Sequence, residues 1–157
     1  MINLKESKHS FTSVMIPLEI NNDEKERIFS EFQIKSLETF KNLSHLTKDE
    51  IFQILFTPIW LNVKWHYNCY LIYAEYYFEA WTTSTSDPNG PRIPVEQIEI
   101  YWRHGSTHGH EVVNNADMVS KSDRTYNLGC DTDMCVSGRA THNGLTWGVN
   151  NPETCIP

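Results

Sequence analysis

The segment that most restricts this chain is residues 59–81, "IWLNVKWHYNCYLIYAEYYFEAW", its most apolar and aromatic stretch. Such a run has to be buried, because each large apolar side chain taken out of water contributes about 1.5–3 kcal/mol. Charges at Lys64, Glu75 and Glu79 make it unsuited to crossing a bilayer, which takes roughly 20 predominantly apolar residues. The part "CYLIYAEYYFEAW" has no Gly or Pro and reads without alternation. It therefore predicts a largely buried helix around 67–81, although the valine, isoleucine and many tyrosines would also suit strands.

Around this segment the 157 residues read as one domain, with enough apolar content (39%) to bury a core. Residues 1–20 are a lead-in holding one short strand in "SVMIPLEI", limited by Pro17. A helical half follows over 22–81. Asn22 or Asp23 caps its start, and Phe29, Phe32, Phe40 and Leu43 recur at helical spacing. Thr47 with Glu50 is a capping-box pair opening a second helix, which Pro58 ends or kinks. The Ser/Thr/Pro/Gly-rich "TTSTSDPNGPRIP" makes 82–94 a surface loop. From 95 to 157 the grammar is that of strands: "VEQIEIYW" alternates, and "HEVV", "TYNLG", "MCVS" and "LTWGV" are shorter candidates. The expected fold class is α+β, with N-terminal helices packed on a small, mainly antiparallel C-terminal sheet and a disulfide-stapled tail.

The formal charge of -7, from 20 acidic and 13 basic residues, argues against a nucleic-acid binder and against adhesion to an acidic membrane. The first 20 residues lack the apolar segment and small-residue cleavage site of a secretory signal. The cysteines point the other way. Cys130, Cys135 and Cys155 lie in a polar tail with little capacity for core, where disulfides usually substitute for burial. Four cysteines allow three complete pairings. The arrangement preferred here joins two of the three C-terminal thiols and leaves Cys69 free; the alternative is four reduced thiols in a cytoplasmic protein. Export without a recognisable signal reconciles the stapled tail with the N-terminus.

Three histidines and a glutamate crowd into "WRHGSTHGHEVV", residues 102–113. If "THGHEVV" is extended, His108 and His110 project to one face and suit a divalent metal, with Asp117, His104 or His142 as a third ligand. "HEVVN" approaches the zinc-protease pattern H-E-x-x-H, with Asn114 in place of the second histidine. Apart from such a metal no cofactor is expected. In the plainer reading His104 and His108 are turn residues.

Cys69 lies close to the start of the expected helix, where free N–H groups and the dipole favour a thiolate, and His110 heads a strand that could carry its base. Asn68-Cys69 and Gly109-His110, in "YNCYLIYAEY" and "HGHEVV", resemble the papain-like peptidoglycan amidases and endopeptidases. In that family an Asp/Asn-Cys pair opens a helix and a Gly-His pair begins a later strand. The resemblance implies Cys69 as nucleophile and His110 as base, with Asp117 or His142 as orienting residue. Tyr70 and Glu111 depart from the small and apolar residues usual after the family's cysteine and histidine. The competing reading makes Cys69 core filler among Tyr67, Tyr70, Leu71 and Ile72.

In the tail, "LGC" followed by a cysteine five positions later is similar to the cysteine-rich secretory, pathogenesis-related proteins, without their upstream histidine signature. "DTD" at 131–133 offers oxygen ligands for calcium, or a solvated turn. Five tryptophans and seven tyrosines could line a ligand platform. Tyr76, Tyr77 and Phe78 are adjacent and cannot all face one core. The leading expectation is thus a small exported effector or toxin-like protein with cysteine hydrolase activity on cell-wall peptide. The first alternative is a non-catalytic, disulfide-stapled binding protein with a peptide, protein or glycan partner. A metal-binding protein using His108 and His110 is the third.

Overall fold

A computed structural model describes residues 4–16, 22–35, 47–50, 52, 58–126, 129–142 and 144–151. Among them the elements are, in chain order, β1 (Leu4–Ile16), α1 (Asn22–Lys35), β2 (Ile59–Tyr70), β3 (Ala74–Thr83), β4 (Val95–His104), β5 (Thr107–Ala116), β6 (Met118–Thr125), β7 (Met134–His142) and β8 (Leu145–Asn151). The strands form two antiparallel sheets with orders β1-β2-β3-β6 and β5-β4-β7-β8. One buried cluster joins them, with Leu61, Val63, Tyr76 and Phe78 from the first sheet and Ile98, Ile100, Trp102 and Val136 from the second. Gly138 permits the close approach of β7, since a Cβ there would come within 2.4 Å of Val63 Cγ1.

This mostly β architecture overturns the expected α+β layering of N-terminal helices on a small sheet. The decisive error is the 67–81 helix. Residues 59–83 form a hairpin, β2 and β3, reversing at Leu71 and Ile72 and closed by the Tyr70 N–H donating to the Tyr73 carbonyl at 2.8 Å. The alternation is present after all. On β3, Ala74, Tyr76, Phe78 and Ala80 are buried, whereas Glu75, Tyr77 and Glu79 are half-buried on the opposite face. It is hidden in sequence because tyrosine serves both sides of a sheet: its ring is apolar and its hydroxyl is not. On β2, Ile59, Leu61, Val63, Trp65, Tyr67 and Cys69 keep strict period two and enter the core.

Among the described residues the helical expectation survives only between β1 and β2. Helix α1 begins at Asn22 with Asp23 and Glu24 in its first turn, where carboxylates suit the dipole. Thr47 and Glu50 form the reciprocal capping box: the Glu50 N–H donates to Thr47 Oγ1 and the Thr47 N–H to Glu50 Oε1, each at 3.2 Å. Phe29 packs edge-on against Phe52, ring centroids 5.2 Å apart. The side chains of Phe32, Phe40 and Leu43, and the end of the second helix before Pro58, lie outside the described residues.

Four further expectations fare unequally. β4, β5, β7 and β8 contain the segments read as strands, "VEQIEIYW", "HEVV", "MCVS" and "LTWGV". β1 is longer than "SVMIPLEI" suggested, because its polar residues lie on an edge strand with little to bury. β6, "MVSKSDRT", was read as no element, and "TYNLG" contributes only Thr125 to it. The loop after β3 is anchored rather than free. Trp81 Nε1 donates to the Pro88 carbonyl at 2.7 Å, Thr82 Oγ1 donates to the Ile93 carbonyl at 2.6 Å, and the Ser84 N–H donates to the Pro91 carbonyl at 2.9 Å.

Candidate functional site

Because β3 alternates, its odd-numbered residues emerge on the outer face of the first sheet, beside the even-numbered residues of β2 and β6. Registry sets Tyr77 between His66 and Ser122, Glu79 between Lys64 and Ser120, and Glu75 beside Arg124. His66 stacks on Tyr77, with ring centroids 4.4 Å apart and planes 13° from parallel. Tyr77 Oη donates to Glu75 Oε2 at 2.9 Å, and Arg124 pairs with the other oxygen of Glu75. That carboxylate holds the Tyr77 hydroxyl above the usual phenol range, with burial adding to the effect. Burial lowers His66, and Lys64 nearby adds to the shift, so the stacked ring favours its neutral form.

Two hollows open along this face. One, of about 300 Å³, is lined by Glu75, Tyr77, Ser122, Asp123 and Arg124. It lies on the β6 side of Tyr77, away from the face that His66 covers. The other, of about 260 Å³, is bounded by Lys64, Glu79, Trp81 and Met118 and by the loop residues Pro88, Asn89, Gly90 and Arg92. The face thus combines ring walls, hydroxyl floors and both signs of charge. Such a surface offers hydrogen bonds and stacking.

Beneath the edge of the first hollow sits the strongest polar cluster of the described residues. His104 is 0% exposed. Its Nε2 lies 2.6 Å from Asp123 Oδ2 and its Nδ1 2.7 Å from Asp131 Oδ2. Its ring stacks on Tyr76 at 4.0 Å with the planes parallel. A neutral imidazole has one N–H, so satisfying both contacts takes a second proton, on the ring or on a carboxyl. The three groups then carry a net charge of -1 in either case. The surroundings position the carboxylates: the Asp131 N–H donates to Tyr76 Oη at 2.9 Å, and the Arg124 N–H donates to Asp123 Oδ1 at 2.9 Å. Gly105 turns the chain after His104 with φ +57°, and a Cβ there would come within 2.8 Å of the Asp131 carboxylate. With both ring nitrogens occupied, His104 has no lone pair to offer a substrate. It fastens β4, β6 and the β6–β7 loop together.

The residues singled out from sequence are dispersed. Cys69 is bonded to Cys130, not free, and Cys135 is also disulfide-bonded. A sulfur in a disulfide supplies no thiolate, so the amidase arrangement lacks its nucleophile in this oxidised form. Cys69 also points into the core from the first sheet, whereas His110 lies on the outer face of the second. There His110 stacks on Tyr101 at 4.1 Å and its Nε2 contacts Glu99 Oε2 at 2.7 Å. Neither orienting candidate is near it. Asp117 is seven residues further along, about 23 Å of extended chain, and lies 3.7 Å from Arg92. His142 ends β7 level with Glu96, about 17 Å along the strands from His110, and burial lowers its pKa. His108 does share the outer face with His110, as the H-x-H spacing requires. Its Nδ1 lies 3.4 Å from the Ser106 carbonyl, and among the described residues no three His, Cys, Asp or Glu side chains are placed so that they could hold a metal ion.

Sequence reasoning assigned Asp123 no role, and it suggested His104 as a third metal ligand or turn residue and the "DTD" aspartates as calcium ligands or a solvated turn, not one cluster. A signal existed: the β4 alternation through Ile98, Ile100 and Trp102 continues to His104, which places it on the core face. A buried histidine needs carboxylate or carbonyl partners, and "SD" and "DTD" downstream contain them. No family model, no curated protein and no solved structure matches this chain.

Proposed function

We propose that this protein is a non-catalytic, disulfide-stapled binding module whose outer β1-β2-β3-β6 face takes a glycan. The observation that carries the reading is the first hollow. Tyr77, braced on its other side by His66, provides a ring wall over Ser122, with Glu75, Asp123 and Arg124 at its rim. A sugar presents C–H groups on its faces and hydroxyls on its edges, so it pairs with an aromatic plane flanked by acceptors and donors. Mixed charge at the rim favours a neutral sugar over a polyanion. The Cys69–Cys130 disulfide supports an exported protein in an oxidising compartment.

The test is a screen of the intact, oxidised protein against immobilised glycans, followed by titration of the best ligand. Tyr77→Ala should weaken binding about tenfold, the equivalent of roughly 1.4 kcal/mol of lost stacking, while the circular dichroism spectrum stays unchanged. Absence of any glycan ligand, or equal affinity in Tyr77→Ala, would overturn the reading.

A further inference from the structure

At the end of the sandwich where β2 turns into β3, the exposed apolar side chains are concentrated. Of the eight large hydrophobic residues strongly exposed among the described ones, four lie here: Leu71 (54%), Ile72 (61%), Tyr126 (73%) and Leu4 (54%). The other four are spread between the opposite half of β1 and the β5 edge. Leu4 is registered with Tyr70 across the β1–β2 ladder. Tyr70 stacks on Tyr73 at 4.6 Å, Tyr73 lies 6.3 Å from Tyr126, and the Arg124 guanidinium sits 4.8 Å over Tyr73. The Cys69–Cys130 bond braces the base of this turn.

We infer that this tip is an interfacial anchor for a zwitterionic lipid surface. Three features select that occupant. Leu71 and Ile72 stand at a chain reversal, so the apolar part is a convex point rather than a groove that would receive a peptide. Polarity rises in order away from the point: two aliphatic side chains, then three tyrosines, then the Arg124–Glu75 pair. A bilayer has the same sequence of layers, from hydrocarbon through the headgroup region where tyrosine concentrates to water. Finally, the net charge of -7 disfavours an anionic membrane and leaves a neutral one open. The residues that would enter the lipid, Leu71, Ile72, Tyr70, Tyr73 and Tyr126, lie outside the glycan hollows, and only the Arg124–Glu75 pair at the polar end is shared with the first of them.

Co-sedimentation of the intact oxidised protein with phosphatidylcholine vesicles tests this. Wild type should partition onto them, and adding phosphatidylserine should not improve binding. Leu71→Ser together with Ile72→Ser should lower the partition coefficient at least about tenfold. Both side chains are exposed, and an unchanged circular dichroism spectrum with intact Cys69–Cys130 confirms folding. Tyr77→Ala should partition as wild type does. Wild type that ignores phosphatidylcholine, or binds only when phosphatidylserine is present, overturns the proposal. So does equal partitioning of the double variant. Loss of a dimer in that variant, without vesicle binding by wild type, would make the tip a contact between copies instead.

Discussion

Two histidines six residues apart have nearly the same partners in opposite environments. His104 stacks on Tyr76 at 4.0 Å and His110 on Tyr101 at 4.1 Å, and each meets carboxylate oxygen at 2.6–2.7 Å. One lies between the sheets, fully buried; the other lies on the outer face of the second sheet with its side chain 40% exposed. The contacts alone would rank them as similar. Burial separates them, because water competes for every charge-assisted bond at His110 and is excluded from the ring of His104. The lesson is that a histidine–carboxylate contact has no fixed worth. At His104 the larger quantity is the penalty for leaving its partners unmatched.

That contrast can be broken by measurement. His104→Ala should cost about 3–5 kcal/mol of stability, because it removes the shared proton site and leaves Asp123 and Asp131 facing one another across a cavity. The lower half of that range is expected, since both carboxylates are partly solvated. Thermal and urea unfolding at pH 7 give the value. Next comes the staple that brings Asp131 into place, for Cys130 is its chain neighbour. Replacing Cys69 and Cys130 together by Ser should cost about 2–4 kcal/mol, given a sequence separation of 61. If Asp131 depends on the staple, nitrogen-resolved NMR should also show the His104 ring signals shifting in that variant; unchanged signals would show that Tyr76 and Gly105 suffice. His110→Ala should change stability by less than about 1 kcal/mol. A loss matching that of His104→Ala would remove burial as the discriminating factor.

Legibility from sequence followed the same division. Strands β4, β7 and β8 and the Thr47–Glu50 cap were readable because their signals are local: alternation, turn residues and a three-residue spacing. The β2–β3 hairpin was misread because tyrosines at 67, 70, 73, 76 and 77 blur the difference between inside and outside. Cys69 was misassigned for a related reason. Its immediate neighbours favour both a buried thiol and a helix start, and its true partner is 61 residues away. The site face was partly visible: Tyr76, Tyr77 and Phe78 had to diverge, and they do, with Tyr77 outward. Which polar groups would accompany Tyr77 was not readable, since Arg124 and Ser122 arrive from β6, a strand with almost no apolar pattern.

Taken by itself, the sequence determined that 59–81 supplies much of the core and that the second half is built largely of strands. These follow from transfer free energies and short-range spacing, which act on neighbouring residues. Only the tertiary structure decided that the central segment is a hairpin, that Cys69 is bound to Cys130, and that His104 rather than His110 is the buried histidine. Each of those depends on what a second, distant strand presents at the same depth. Strand pairing and the exclusion of water are set by the assembled sheets, and a single strand carries no record of its partner.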